Sequence, residues 1–495
     1  MSNTFMNALE EQYNYKFTEN GALAHRSTGS KVYDLFAFGG AYRNRSEEDC
    51  ILLFKNAFEE DQDLALKCLF YLRDCRGGQG ERRFFRICYK WLAEQHPMTA
   101  VKNLACVPEM GRWDDLLCLI STPIENFVGA LIKHQLELDM EDSMDRKATS
   151  LLAKWLPSEN AHSKEGKEKA YWIINYLHIT PRTYRKTLSK LREYINVLEK
   201  LMSANRWDEI DFSKIPSKAG LTYRNAFARR DIIAKKYEKF AKNKNTKVNA
   251  GTLYPYEIVR KVANNMNIWY GSFIGTEVER EMLNKYWENQ KDYLKGASPS
   301  MLCVVDTSAS MQGTPLDVAC SLGLYCAERM SGPFANKYIS FSANPKLIEC
   351  EGVDFVDKVG RIYMQNLCEN TNLTKVFNLL LSIAKRKDVK REDIPKTICV
   401  ISDMEIDRQC SWGKNTVLTE MEKMRAIWKS YGVELPKLIY WNVDARSNTI
   451  LDLGPNVSFV SGCSPIIFES VLTGKQGFDL MLEVLLKDRY KEICA

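Results

Sequence analysis

Asp306, Ser308 and Ser310 stand at alternate positions directly after the apolar run Leu302-Cys303-Val304-Val305. An Asp and two hydroxyls spaced this way present hard oxygen atoms on one side of a turning loop. Such donors suit Mg²⁺ or Mn²⁺ and suit zinc poorly. Two further pieces carry matching chemistry: Asn370-Thr371-Asn372, which leads a helical stretch, and Ser402-Asp403, which ends a second apolar run. Brought together, Asp306, Asp403, Ser308, Ser310 and Thr371 offer two carboxylates and three hydroxyls. That set leaves at least one position of an octahedral ion to water or to an acidic group from a partner. With five histidines and no His-Glu-x-x-His pattern, zinc hydrolysis has no support. No nucleophile is spaced with a base, so the chain reads as a non-enzyme. The one hydrolytic alternative is water activated beside a metal by Asp403 and Glu405.

These residues act together only if strands deliver them to one edge. A short continuous apolar run reads as a strand buried on both faces of a parallel sheet, and open α/β sheets place ligands beyond the carboxyl ends of their strands. The run into Asp306 is one such strand, and Thr397–Ser402, ending at Asp403, is another. Residues 338–341, 438–441 and 457–460 read as further strands. Helices are expected over 315–330, 374–384, 417–428 and 478–486. Strands alternating with helices predict a doubly wound, mostly parallel sheet, Rossmann-like, over residues 296–495.

The 495 residues exceed one ordinary core. The linker-like Gly296-Ala-Ser-Pro-Ser300 places the main boundary there. Residues 1–295 read as helix, short polar break, helix. The candidates are a HEAT-like repeat array, whose closure into a ring the sequence leaves open, and an irregular bundle. Residues 1–45 are mixed, with Phe36–Arg43 reading as a turn followed by a helix start. Arg73–Arg83 holds three glycines but follows no strand and lacks a Gly-Lys-Ser/Thr ending. It reads as an interhelix turn with its arginines outward, ahead of a phosphate loop. Glu10 and Glu11 interrupt any leader-like apolar segment, and no run approaches a membrane span. Fifteen scattered cysteines without a Cys-x-x-Cys suit reduced thiols and a cytoplasmic setting.

The charge is uneven. From Arg182 to Arg260 there are nineteen Lys/Arg against eight Asp/Glu, a local excess of eleven in a chain whose net charge is +6. Within the basic segment 180–260, Arg182, Arg185, Lys186 and Arg192 can share one helical face. Arg224, Arg229, Arg230, Lys235 and Lys236 follow, interleaved with Tyr223 and Phe227. Residues 235–247 read as a loop or mobile basic tether. Cationic side chains neutralise phosphates and aromatic planes stack on unpaired bases. Two readings stand: an RNA-binding face and a solvated helix face.

The carboxy-terminal pattern resembles the von Willebrand factor A domain and its metal-ion-dependent adhesion site, Asp-x-Ser-x-Ser followed by a Thr and an Asp. The resemblance makes Ser308, Ser310 and Thr371 hydroxyl ligands, and Asp306 and Asp403 direct or water-mediated ligands, of Mg²⁺ (or Mn²⁺). This chain departs from it at Glu369-Asn370, where Gly-Gly is usual, and at Met404, where Gly is usual. A helical first half before such a domain resembles the Ro autoantigen and its TROVE module, and Asp306-Thr-Ser-Ala-Ser-Met311 is similar to that family's metal loop. A viral and phage family is matched more closely, through Arg76-Gly-Gly-Gln-Gly-Glu-Arg82, Gly111-Arg-Trp-Asp-Asp115, Lys154-Trp-Leu-Pro157, Tyr184-Arg-Lys186, Pro216-Ser-Lys-Ala219 and Ser402-Asp-Met404. The Ro resemblance implies a ribonucleoprotein component that binds small structured RNAs or single-stranded RNA ends. The alternative is a protein–protein module in which the metal captures a partner's acidic residue.

Overall fold

The computed structural model describes residues 4–267, 270–295, 297, 299–341, 344–365, 372–407 and 419–495. Near the amino terminus Tyr15–Phe17 (β1) and Leu23–His25 (β2) pair antiparallel, with Tyr15 opposite His25. The apolar runs of the second half then form β3 (Met301–Asp306), β4 (Lys337–Phe341), β6 (Thr397–Ser402), β7 (Lys437–Asn442) and β8 (Val457–Ser461), and the mostly exposed Lys346–Glu349 (β5) adds a further strand. Their order in the sheet is β5-β4-β3-β6-β7-β8. Every neighbouring pair is parallel except β4 and β5.

The six residues of β3 are all buried, which is why that strand reads as a continuous apolar run. The chain leaves β3 towards β4 on one side, while β6 lies on the other. The order therefore reverses between β3 and β6, and their carboxyl ends frame the crevice where such sheets hold ligands. The helix Thr314–Arg329 lies against this sheet. A Cβ on its Gly323 would come 2.6 Å from Val305 Cγ2, so only glycine lets the helix approach β3 so closely.

The chain divides into two compact units that differ from the boundary expected at 295/296. One comprises residues 1–68 and 250–487, the other residues 69–249 and 488–495. The physical reason is that early segments supply part of the sheet's packing. The helix Lys31–Phe38, capped by Ser30, is buried from Val32 to Phe38. Its Tyr33 hydroxyl accepts from Phe459 N–H at 2.8 Å, and Ser461 Oγ donates to Phe36 O at 2.9 Å. Phe36 is thus the end of a helix, where the sequence suggested a turn before one. On other helices of this unit, Arg260 pairs with Asp317 at 2.6 Å and Arg280 with Asp354 at 2.7 Å.

The second unit is helical. Its residues 235–247, read as a tether, mostly belong to the helix Asp231–Lys242, because Ile233, Tyr237 and Ala241 recur every four positions and are buried. Among the described residues no helix is long and apolar enough to cross a membrane.

Candidate functional site

Asp306 ends β3 and Asp403 follows β6, so the pairing of the two strands brings both carboxylates to one edge. Both are fully buried, as are Ser402 and Glu405. Asp306 Oδ1 accepts from Ser308 N–H at 2.9 Å, and its Oδ2 accepts from Ser402 Oγ at 2.5 Å. Ser308 Oγ and Ser310 Oγ lie 3.0 Å apart on the same turn. Asp403 Oδ1 accepts from Glu405 N–H at 3.1 Å. Burial, and next the negative charge of Asp403, push the Asp306 carboxyl up to about 7. Burial and a neighbouring carboxylate both disfavour the charged form of Asp306.

The donor chemistry here is that of hard oxygens, the kind that would suit Mg²⁺ or Mn²⁺. Asp306, Ser308, Ser310 and Asp403 supply hard oxygens from two neighbouring loops at the switch point of the sheet. Thr371 lies outside the described residues; the helix Leu373–Ala384 begins two positions after it, with Asn372 capping by accepting from Lys375 N–H at 2.9 Å. Among the described residues no group of three or more His, Cys, Asp or Glu could hold a metal, so any ion depends on the hydroxyls. Met404 has φ +66°, the left-handed backbone that glycine adopts at least cost. Met404 N–H donates to Ser402 Oγ at 3.0 Å and its side chain is buried.

One site residue carries no local signal in the sequence. Arg446, on the loop after β7, donates from Nη2 to Asp403 Oδ2, and its Nη1 lies 3.1 Å from Glu19 Oε2. Burial opposes its charge, but Asp403 and Glu19 hold its guanidinium above the ordinary value. Only a long-range pairing gives it this place.

The basic segment divides by its contacts. Arg182, Arg185 and Lys186 are exposed on the helix Pro181–Tyr194, with Arg185 Nε 3.2 Å from Glu159. Arg229, Arg230 and Lys235 are exposed too. Arg192 does not share that role. Its guanidinium donates to Ala153 O, Ser158 Oγ and Leu156 O at 2.8, 2.9 and 2.7 Å, tying down the end of the helix Leu152–Trp155. Arg224 is buried and donates to Leu221 O. Lys236 Nζ donates to Asp208 O and Ile210 O, and Arg230 stacks 4.7 Å from the Trp207 ring. Phe227 is buried in a cluster with Trp207, Phe212 and Tyr237, so it is core and not a stacking platform.

The glycine-rich stretch 76–82 is a packing device. A Cβ on Gly78 would lie 1.9 Å from Tyr71 O. The N–H groups of Cys75, Arg76, Gln79, Gly80 and Glu81 all donate within this unit, which leaves them unavailable to a phosphate. Arg73 is buried against Asp115 at 2.6 Å, contrary to the outward placement expected, and Arg86 joins the same carboxylate at 2.7 Å.

Residues 18–126 and 161–298 match the family described as domain of unknown function DUF2828, and residues 300–491 match DUF7788. The chain is 30% identical over 520 residues to the uncharacterized protein L728 of Acanthamoeba polyphaga mimivirus, covering 95% of this chain and 87% of that one. A solved structure, that of the Deinococcus radiodurans Ro (RSR) protein, aligns over 94% of this chain and 100% of its own at 13% identity with a TM-score of 0.38.

Proposed function

The chain belongs to the family that includes the mimivirus protein L728, and we propose that it is a divalent-cation-dependent binding protein, not an enzyme, whose sheet is a von Willebrand factor A-type domain. Asp306, Ser308, Ser310 and Asp403 hold Mg²⁺ or Mn²⁺; the von Willebrand factor A resemblance adds Thr371, which lies outside the described residues. The ion's open position takes an acidic group of a partner. The observation that carries this reading is the buried Asp306–Asp403 pair beside the Ser308 and Ser310 hydroxyls at the switch point. An ion that binds only the folded state stabilises it, by about 2.7 kcal/mol at a hundredfold excess over Kd. Millimolar Mg²⁺ should therefore raise the unfolding midpoint of the wild type and leave those of Asp306→Ala and Asp403→Ala unmoved. Equal shifts in all three proteins would defeat the reading.

The exposed basic residues favour a second reading, in which the helical unit holds RNA in the manner of Ro proteins. It rests on Arg182, Arg185, Lys186, Arg229, Arg230 and Lys235, which remain at the surface. Charge reversal at Arg182, Lys186, Arg229 and Lys235 should abolish RNA binding without lowering the melting temperature, and wild-type affinity should fall steeply with salt. RNA affinity that survives the four reversals would exclude it.

A further inference from the structure

The seat has an occupant built into the chain. Asp403 uses Oδ1 to hold the Glu405 N–H, and its other oxygen, Oδ2, receives Arg446 Nη2. The same guanidinium reaches Glu19 Oε2 through Nη1 at 3.1 Å. Glu19 lies in the turn between β1 and β2, and that hairpin is stitched to the loop after β6. Thr18 Oγ1 donates to Ile406 O at 2.8 Å, Glu19 N–H to Glu405 Oε2 at 2.7 Å and Asn20 Nδ2 to Glu405 O at 2.6 Å. Gly21 and Asp407 pair as an isolated bridge. From the other side Lys16 Nζ donates to Ser447 Oγ, Asn448 O and Thr449 Oγ1, fixing the loop that carries Arg446. The backbone of the hairpin is therefore anchored independently, and Arg446 joins the half-exposed Glu19 carboxylate to the buried Asp403.

We propose that Arg446 is the internal counter-cation of the seat: its guanidinium holds Asp403 where a divalent ion would act, and loading the ion displaces Arg446 and frees the Glu19 carboxylate. The proposal rests on the reading of Asp306, Ser308, Ser310 and Asp403 as a metal seat. The physics is competition. A guanidinium on Oδ2 satisfies the one Asp403 oxygen that accepts no backbone donor, and its charge repels a second cation brought to the same carboxylate. Arg446 is one-third exposed, so it has room to swing outward when displaced. Glu19 then becomes an acidic group of this chain standing beside the loaded seat, and an acidic partner must compete with it.

The test is a Mn²⁺ titration of the full chain, reading free Mn²⁺ by electron paramagnetic resonance, with wild type, Arg446→Gln, Arg446→Lys and Asp306→Ala. Arg446→Gln should bind about tenfold more tightly than wild type, Arg446→Lys should return towards wild type, and Asp306→Ala should bind none. Unchanged or weaker binding by Arg446→Gln, with Asp306→Ala still silent, overturns the counter-cation and leaves the seat standing. Mn²⁺ binding that ignores Asp306 overturns the seat itself. A readout on the unaltered protein covers a variant that fails to fold: saturating Mg²⁺ should speed modification of Arg446 by an arginine-specific dicarbonyl, followed by mass spectrometry. Slower or equal modification would contradict displacement.

Discussion

Several buried charges among the described residues face a partner of opposite sign, and their cost follows from whether that partner is present. Arg73 is 4% exposed and Asp115 fully buried, with Arg86 on the second carboxylate oxygen. Asp115→Ala strands the Arg73 guanidinium, and breaking a buried pair by removing one partner costs about 3–5 kcal/mol. Urea unfolding should show a loss of that size. A loss under about 1 kcal/mol would mean that Arg73 finds water or another acceptor. The pair explains two of the sequence hallmarks. Arg73 leads into Arg76–Arg82, and Asp115 ends Gly111–Asp115, where a Cβ on Gly111 would lie 2.4 Å from Asp115 Oδ2. Those motifs are legible as motifs, but their purpose shows only when the two stretches meet. At the loop after β3 the reverse holds: Asp306, Ser308 and Ser310 are readable because their spacing is local. Arg446 and Glu19 are far apart in the chain, and no short pattern marks them.

Strands and helices whose burial is two-sided or strictly periodic were the legible elements. β3 and β6 have continuous apolar interiors, so their ends, and the polar residues at and beyond them, are legible in the sequence. β5 escaped notice because it is an edge strand with a single buried residue, Ile348, among exposed neighbours. The helix Asp231–Lys242 escaped because its lysines hide a stripe of only three buried positions. The helix Lys31–Phe38 escaped because almost every side chain in it is buried, which blurs the helical period. Its attachment to β8 gives an element-level prediction. A Cβ on Gly40 would lie 2.7 Å from Ser461 O, and Gly40 N–H donates to Ser461 Oγ at 2.9 Å. Gly40→Ala forces backbone away from backbone and should cost about 1–3 kcal/mol in chemical denaturation. A neutral change would mean that this junction yields without strain.

Across the molecule, sequence order and spatial order part company. The two family matches meet at residues 298 and 300, near the expected boundary, yet residues 1–68 pack with the sheet that begins at Met301. Composition could not reveal this, because the hydrogen bonds from Tyr33, Phe36 and Gly40 to β8 span more than four hundred residues. The consequence for function is that the rim of the sheet and the amino-terminal hairpin form one neighbourhood, with Arg446 between them. The central claim, a divalent ion at the ends of β3 and β6, is tested most directly by anomalous diffraction from crystals grown with Mn²⁺. The account predicts a single strong peak within about 2.0–2.3 Å of Ser308 Oγ and Ser310 Oγ, with Arg446 turned away from Asp403. No peak there at millimolar Mn²⁺, or Arg446 still seated on Asp403 beside a bound ion, would contradict it.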